Sequence, residues 1–380
     1  MIRRPKYLVG IGLITVLSLA ALYVVPRSDI GTQTLPERFS DAEFWNLIND
    51  FSEPGGYFRS DNFVSNESMF QYVIPELTRR TKPGGVYLGV GPDQNFTYIA
   101  ALRPKLAFIT DIRRQNMLLH LMYKALFELS DNRAQFLSKL FSRPMPPNLP
   151  KNVSADVLFD IFDSSAADQE IAKHNVDLLL DHLRVHHQFP LSVDDSHTIE
   201  FVYNSFVSAG PEIRYSFPNQ YGWRRFPSYS ELMQETDEEG ESHSYMASEE
   251  NFQIVKKLES ENRIVPIVGD FAGDKALRSV GRFLYDHGAT VTAFYTSNVE
   301  FYLFQSDDWK KFLNNVSDLP LDHGSVFIRA YFNNFGSRFP NQGPSANRSV
   351  TLLDSMPGLV SDFDGGRIKS YYDVIQRSAQ

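Results

Sequence analysis

The chain of 380 residues contains no cysteine. Disulfides, a thiolate nucleophile, thiolate metal sites and lipoprotein-type acylation are therefore excluded, while either side of a membrane remains open as its compartment. Positive charge is also scarce. Lys and Arg number 37 against 46 Asp and Glu, a formal charge of −9. Non-specific nucleic-acid binding needs cationic surface, so no nucleic-acid partner is expected. The glycine turn Gly89-Val90-Gly91-Pro92-Asp93-Gln94 lacks the third glycine of a dinucleotide fingerprint, which counts against a nicotinamide-dependent reductase. No H-E-x-x-H run is present, so the commonest helical zinc pattern is missing too.

What is there is ordinary for a folded protein: 42% hydrophobic and 22% charged residues, enough to bury a large core in one or two domains. The longest uncharged apolar run is Tyr7 to Val25, preceded by Arg3, Arg4 and Lys6. As a helix it would span roughly 28 Å, close to the thickness of a bilayer core. The reading adopted is an uncleaved signal-anchor. The alternative is a signal peptide cut after Ala20, at the small-x-small sequence Ser18-Leu19-Ala20. The basic flank places the N-terminus in the cytoplasm and the body of the protein outside it. The expected location is thus a single-pass protein of the cell membrane, with its globular part extracytoplasmic. Residues 26–38, polar with Pro and Gly, read as a linker.

From residue 39 the pattern becomes that of an α/β protein. Helical periods over 41–51 and 69–80 lead to Pro83-Gly84-Gly85 and a short β-rich run ending at Gly89. A second run, Leu106 to Thr110, stops at Asp111, and a strong amphipathic helix follows over 115–129. The order is strand, glycine turn, helix, strand, acidic residue. Glycines without Cβ atoms let a ligand lie against the backbone. An Asp about 20 residues further on, at the next strand tip, suits the ribose hydroxyls of a nucleoside.

Residues 130–262 abandon the alternation and read as a mostly helical insertion, with helices near 154–162, 168–185 and 194–209. The alternation resumes at Arg263. A strand over 264–268 ends in Gly269-Asp270, a helix over 275–287 stops at Gly288, and a strand over 290–295 runs into Thr296-Ser297-Asn298-Val299-Glu300. A helix over 309–316 then precedes a strand over 325–332. The remainder reads as polar and Gly/Pro-rich, with one short helix near 368–377. Strands alternating with helices imply a mainly parallel sheet covered on both faces.

The five strand ends, carrying Gly89-Val90-Gly91-Pro92, Asp111, Gly269-Asp270-Phe271, Ser297-Asn298-Val299-Glu300 and Leu321-Asp322-His323-Gly324, together resemble the class I S-adenosylmethionine-dependent methyltransferase fold, a Rossmann-like architecture, over roughly residues 66–333 apart from the insertion. The closest likeness is to a bacterial methyltransferase-like family without an assigned substrate. The resemblance implies S-adenosylmethionine as cofactor, held by Gly89, Gly91, Asp111 and Asp270. Asp93 and Gln94, just past the turn, would face the cofactor's amino-acid end or else begin a helix. No Asn-Pro-Pro-Tyr-like signature follows the fourth strand, and the acceptor is open. Glu300, beyond that strand, is the candidate general base or polar anchor, against a first-turn carboxylate favoured by the helix dipole.

Other residues are weighed against plainer roles. Arg113 and Arg114 would bind an anionic substrate group or hold Asp111 in place. The aromatic and basic stretch Tyr215 to Tyr229, with Trp223, Arg224 and Arg225, would form a lid or pack the insertion onto the sheet. His182 and His186, four apart on a helix with His187 beside them, have a spacing that suits a metal, but no further ligand is evident and no metal site is assigned. Two functional classes remain: a membrane-anchored methyltransferase-like enzyme, and a non-catalytic extracytoplasmic protein that binds a small ligand or partner on the same fold. The incomplete glycine turn and an extracytoplasmic body, apart from the cytosolic cofactor, favour the second class; the acidic residues at the strand ends favour the first, which is the reading adopted.

Overall fold

The computed structural model describes residues 34–147, 149–150, 152–216, 226–332 and 349–378. The expected membrane anchor over 7–25, and Trp223, Arg224 and Arg225, lie outside the described residues. Among the described residues no helix is long and apolar enough to cross a membrane.

The architecture is mixed α/β, built on one six-stranded sheet. Its strands are β1 (Val86–Gly89), β2 (Leu106–Asp111), β3 (Ile264–Val268), β4 (Val291–Ser297), β5 (Leu321–Phe332) and β6 (Ser349–Ser355). They lie in the order β3-β2-β1-β4-β5-β6. β1 to β5 are parallel, and β6 pairs antiparallel with β5 from Val326↔Ser355 to Phe332↔Ser349. β1, β2 and β3 are buried at every position. Strands covered on both faces carry continuous apolar runs rather than alternation, and V-Y-L-G, L-A-F-I-T and I-V-P-I-V are such runs.

The helices are α1 (Asp41–Phe51), α2 (Ile74–Arg80), α3 (Gln94–Leu102) and α4 (Arg114–Glu128), followed by α5 (Arg133–Phe141), α6 (Ala155–Ser164) and α7 (Gln169–Asp181). A π-helical turn, His182–His186, leads on to α8 (Val193–Ala209), α9 (Tyr229–Gln234) and α10 (Glu249–Ser260). After β3 come α11 (Ala276–Asp286), α12 (Val299–Gln305), α13 (Trp309–Ser317), α14 (Met356–Asp364) and α15 (Tyr371–Ser378). Among the described residues, the segment between β2 and β3 therefore carries α4 and the six helices α5 to α10.

Two elements differ from the sequence reading. β6 and α14 occupy part of what reads as a polar tail. Ser349-Val350-Thr351-Leu352-Leu353-Asp354-Ser355 mixes polar and apolar residues, and two of its buried polar side chains have partners: Ser349 accepts from the Ser68 N–H and Asp354 pairs with Arg329. Pro357 and Gly358 look like helix breakers, yet Pro sits at the start of α14, where its missing N–H costs nothing.

The N-terminal segment is tied across the sheet. Ser40 caps α1 in a reciprocal box with Glu43, and Phe44, Trp45 and Ile48 are buried. Beyond α1, the chain crosses the carboxyl ends of the strands. Glu53 N–H donates to the Val268 carbonyl at 2.8 Å and Gly56 N–H to that of Ile112 at 2.7 Å. The Glu53 Oε1 atom accepts from the N–H groups of Lys275 and Ala276 at 2.9 and 2.7 Å. A carboxylate is thereby placed on the positive end of α11.

Candidate functional site

The strand order reverses between β1 and β4, and in open α/β sheets ligands settle beyond the carboxyl ends of the strands at such a point. A cavity of about 540 Å³ lies there. Val90 and Gly91 after β1, Thr110 and Asp111 of β2, Gly269 and Asp270 after β3, and Ser297 and Asn298 at the end of β4 all line it. Its outer wall comes from the crossing segment, with Tyr57, Phe58, Asn62 and Glu67, and from Tyr302 on α12.

The glycine turn is braced from behind. Asn95 donates to the carbonyls of Val90 and Pro92 at 2.9 and 2.7 Å and accepts from the Tyr87 hydroxyl at 2.8 Å. His120 on α4 donates from Nε2 to the Gly91 carbonyl at 2.8 Å. Burial pushes the His120 pKa down to about 4, so the ring is neutral and one nitrogen carries the proton. Gly91 has φ +75°, and a Cβ there would meet only Asn62 Nδ2, at 3.7 Å. Its bare backbone faces open space in a conformation that favours glycine. Gly89 serves differently. A Cβ on it would strike Asn95 Oδ1 at 1.9 Å, and it does not line the cavity.

Asp111 lines the cavity but is already held. Its Oδ1 accepts from the Arg113 N–H at 2.9 Å and Nε at 3.0 Å, and its Oδ2 from Arg113 Nη2 at 2.9 Å. Arg113 also donates from Nη1 to the carbonyls of Ser60 and Asp61, both at 2.8 Å. Of the two roles weighed for Arg113, the structure displays the tie to Asp111. Arg114 pairs instead with Asp195 on α8 at 2.7 Å. Asp270 lines the cavity as well, and its Oδ1 accepts from the Ala272 N–H at 2.8 Å. Tyr215, from the insertion, lines the cavity and accepts a hydrogen bond from Ser60 Oγ at 2.8 Å.

Asp93 and Glu300 are placed elsewhere. Asp93 does not line the cavity. It is fully buried, its Oδ2 accepts from the Tyr245 hydroxyl at 3.3 Å, and burial pushes its pKa up to about 7. Glu300 is also buried and turned away. It accepts from Arg329 on β5, through Nε at 2.5 Å and Nη2 at 3.2 Å. Arg329 Nη1 reaches Asp354 on β6 at 2.9 Å, and Asp354 also pairs with Arg377 at 3.2 Å. The carboxylate expected as a base is thus committed to neutralising a buried guanidinium, which cannot shed its proton.

The carboxylate that does line the cavity at the β4 end is Glu67, which sequence reasoning missed. Its Oε1 accepts from the Tyr295 hydroxyl at 2.8 Å and from Ser297 Oγ, and its Oε2 from Gln94 Nε2 at 2.9 Å. Complete burial pushes its pKa up, opposed by those hydrogen bonds. Gln94 thus begins α3, as one of its two readings had it, and its side chain supports Glu67. The one signal in the sequence was the presence of apolar Phe63 and Val64 in a turn-rich stretch. Both are buried, which fixes the neighbouring Glu67 against the sheet.

A family model described as "Domain of unknown function (DUF7790)" matches residues 62–144 and 186–353, about two thirds of the chain. The matched segments contain Glu67, Gly91, Asp111, Asp270 and Ser297. The break between them covers α6 and α7. No curated protein matches the chain. Among solved structures, the rRNA methyltransferase aviRa from Streptomyces viridochromogenes is similar at 10% identity with a TM-score of 0.31, covering 84% of this chain and 95% of that one. At that score the likeness carries no argument.

Proposed function

The chain belongs to this family, whose description names no activity, and from the cavity itself we propose an S-adenosylmethionine-binding protein of the class I methyltransferase type. The observation that carries the reading is the convergence of four adjacent parallel strand ends on one cavity, with the bare Gly91 backbone on one side and Asp111 on the next strand. A nucleoside lying across those ends would meet backbone at Gly91, the remaining acceptor capacity of Asp111 at its ribose, and Asp270 beyond.

Charge and size support the same ligand. The cavity is lined by three carboxylates, Glu67, Asp111 and Asp270, against one guanidinium, Arg113. An excess of negative charge favours a cation, and the nearby rings of Tyr57, Tyr295 and Tyr302 add faces that attract one. A sulfonium meets that description. A volume of about 540 Å³ falls within the range of small-molecule sites. Bound there, S-adenosylmethionine would supply an electrophilic methyl group, its carbon–sulfur bond breaking to a neutral thioether as the acceptor's lone pair takes the methyl carbon, and the acceptor would give up its proton. Glu67, with its raised pKa, is the carboxylate best suited to receive that proton.

The second reading, ligand binding without turnover, draws on the Asp111–Arg113 pair, which spends most of the carboxylate's capacity on the protein itself. Calorimetric titration of S-adenosylmethionine into the full chain tests the shared premise. Binding that weakens at least tenfold in Asp270→Asn supports the site. Absence of heat, or heat unchanged by that substitution, removes it. With binding in hand, methylation lost in Glu67→Gln while affinity is kept favours the enzyme over the binder.

A further inference from the structure

At the C-terminal end of α4, beside the start of α1 and the residues that lead into β3, three histidines from the π-helical turn and its following residue come together: His182, His186 and His187, with one ring nitrogen of each within 4.8 Å of the others. The widened turn produces this. The His187 N–H bonds to the His182 carbonyl five residues back at 3.1 Å, which brings residues that an α-helix would separate onto one side, a device common at functional sites. Glu128, at the end of α4, puts its Oε2 at 2.7 Å from His182 Nε2 and 2.6 Å from His187 Nε2. A second carboxylate, Asp41 at the start of α1, lies with Oδ1 at 2.9 Å from His187 Nδ1, and Asn262 fixes that same oxygen at 2.9 Å. A cavity of about 550 Å³ opens beside the cluster.

We propose that His182, His186, His187 and Glu128 form a binding site for a divalent transition-metal ion of the zinc class, with Asp41 orienting His187 from behind. Nitrogen and carboxylate donors in this number suit such an ion. The second carboxylate points the same way: with an ion on His187 Nε2, the Nδ1–H would donate to Asp41, the carboxylate–histidine–metal relay found at metal sites. Tetrahedral ligands at about 2.1 Å from an ion lie about 3.4 Å apart, so the Glu128–histidine contacts need open by less than about 1 Å and the histidine nitrogens, up to 4.8 Å apart, need close by about 1.4 Å at most. Three cations stand nearby. Lys124 Nζ is 2.8 Å from Glu128 Oε1, which leaves Oε2 as the ligand atom, Lys256 Nζ reaches the Glu128 carbonyl at 3.4 Å, and Arg38 is turned to the Ser260 carbonyl at 2.8 Å. The bound ion would join α1, α4 and the π-helical turn.

The test is Zn²⁺ titration of the tag-free full chain, with Co²⁺ as a spectroscopic substitute. The site predicts one Zn²⁺ per chain at micromolar or lower Kd, and the visible d–d bands of tetrahedral Co²⁺. His182→Gln should abolish stoichiometric binding, and Asp41→Asn should weaken it about 10–100-fold. His186 is exposed, so His186→Ala keeps the fold and should still lower affinity and alter the Co²⁺ spectrum. Absence of stoichiometric binding, or binding and spectra unchanged in His186→Ala, overturns the proposal.

Discussion

Arg113 grips the carboxylate of Asp111, two residues before it, through Nε at 3.0 Å and Nη2 at 2.9 Å, and with its remaining nitrogen holds the carbonyls of Ser60 and Asp61 at 2.8 Å. One side chain therefore fixes both the acidic strand tip and the segment that walls the cavity. Both partners are nearly buried, so removing one leaves the other uncompensated. Arg113→Ala should lower stability by about 3–5 kcal/mol in denaturant unfolding. It should also speed proteolytic cleavage within residues 55–62 under native conditions. Equal stability and unchanged cleavage would show that the segment is held by other contacts.

Glu300 offers a contrasting expectation. Its partner Arg329 is fully buried between Glu300 and Asp354. Glu300→Gln should destabilise by on the order of 3–5 kcal/mol, while the affinity of any cavity ligand stays within twofold in protein that remains folded. A folded Glu300→Gln protein with wild-type stability and no ligand binding would restore Glu300 to the site.

Asp93 makes stability depend on pH in a stated direction. Burial raises its carboxyl from 3.8 to about 7 in the folded protein. Between those values the folded state holds a proton that the unfolded state has lost, so this group's contribution to stability falls as pH rises from about 4 to 7. Glu235, raised to about 8 by burial, slopes the same way, so the effect of Asp93 is read from a difference. Asp93→Asn mimics the protonated form. Its stability relative to the wild type should increase from pH 4.5 to pH 7.5. A difference that is flat with pH would place the Asp93 titration elsewhere.

The N-terminal run gives a prediction of location. We propose a signal-anchor over residues 7–25, with Arg3, Arg4 and Lys6 before it, which would place residue 380 outside the cytoplasm. A reporter fused at Gln380 that is active only in an extracytoplasmic compartment is the expected result. Such an outcome weighs toward ligand binding without turnover, because it separates the cavity from the cytosolic cofactor. A reporter active in the cytoplasm contradicts the proposed topology.

Much of the sheet was legible because parallel strands buried on both faces leave short apolar runs that end abruptly. Leu106 to Asp111 and Ile264 to Val268 show this, and their tips line the cavity. The use made of each polar residue was harder to read. Nothing local to Glu300 announces that Arg329 and Asp354, from two later strands, close on it. Nor does Asp93 reveal that the insertion brings Tyr245 over it. Glu67 sits in a stretch without helical or strand period, so its position depends wholly on packing at a distance. The histidines show the same limit from the other side: spacing disclosed His182 and His186, but Glu128 and Asp41 arrive from separate helices.

Hydrogen exchange of the full chain with and without S-adenosylmethionine tests the central claim most directly, because it reports where the ligand lies. The account predicts slowed exchange together at 90–92, 111–113, 269–271 and 297–299, the ends of four neighbouring strands. Unchanged exchange at saturating ligand, or protection confined to other segments, would contradict it.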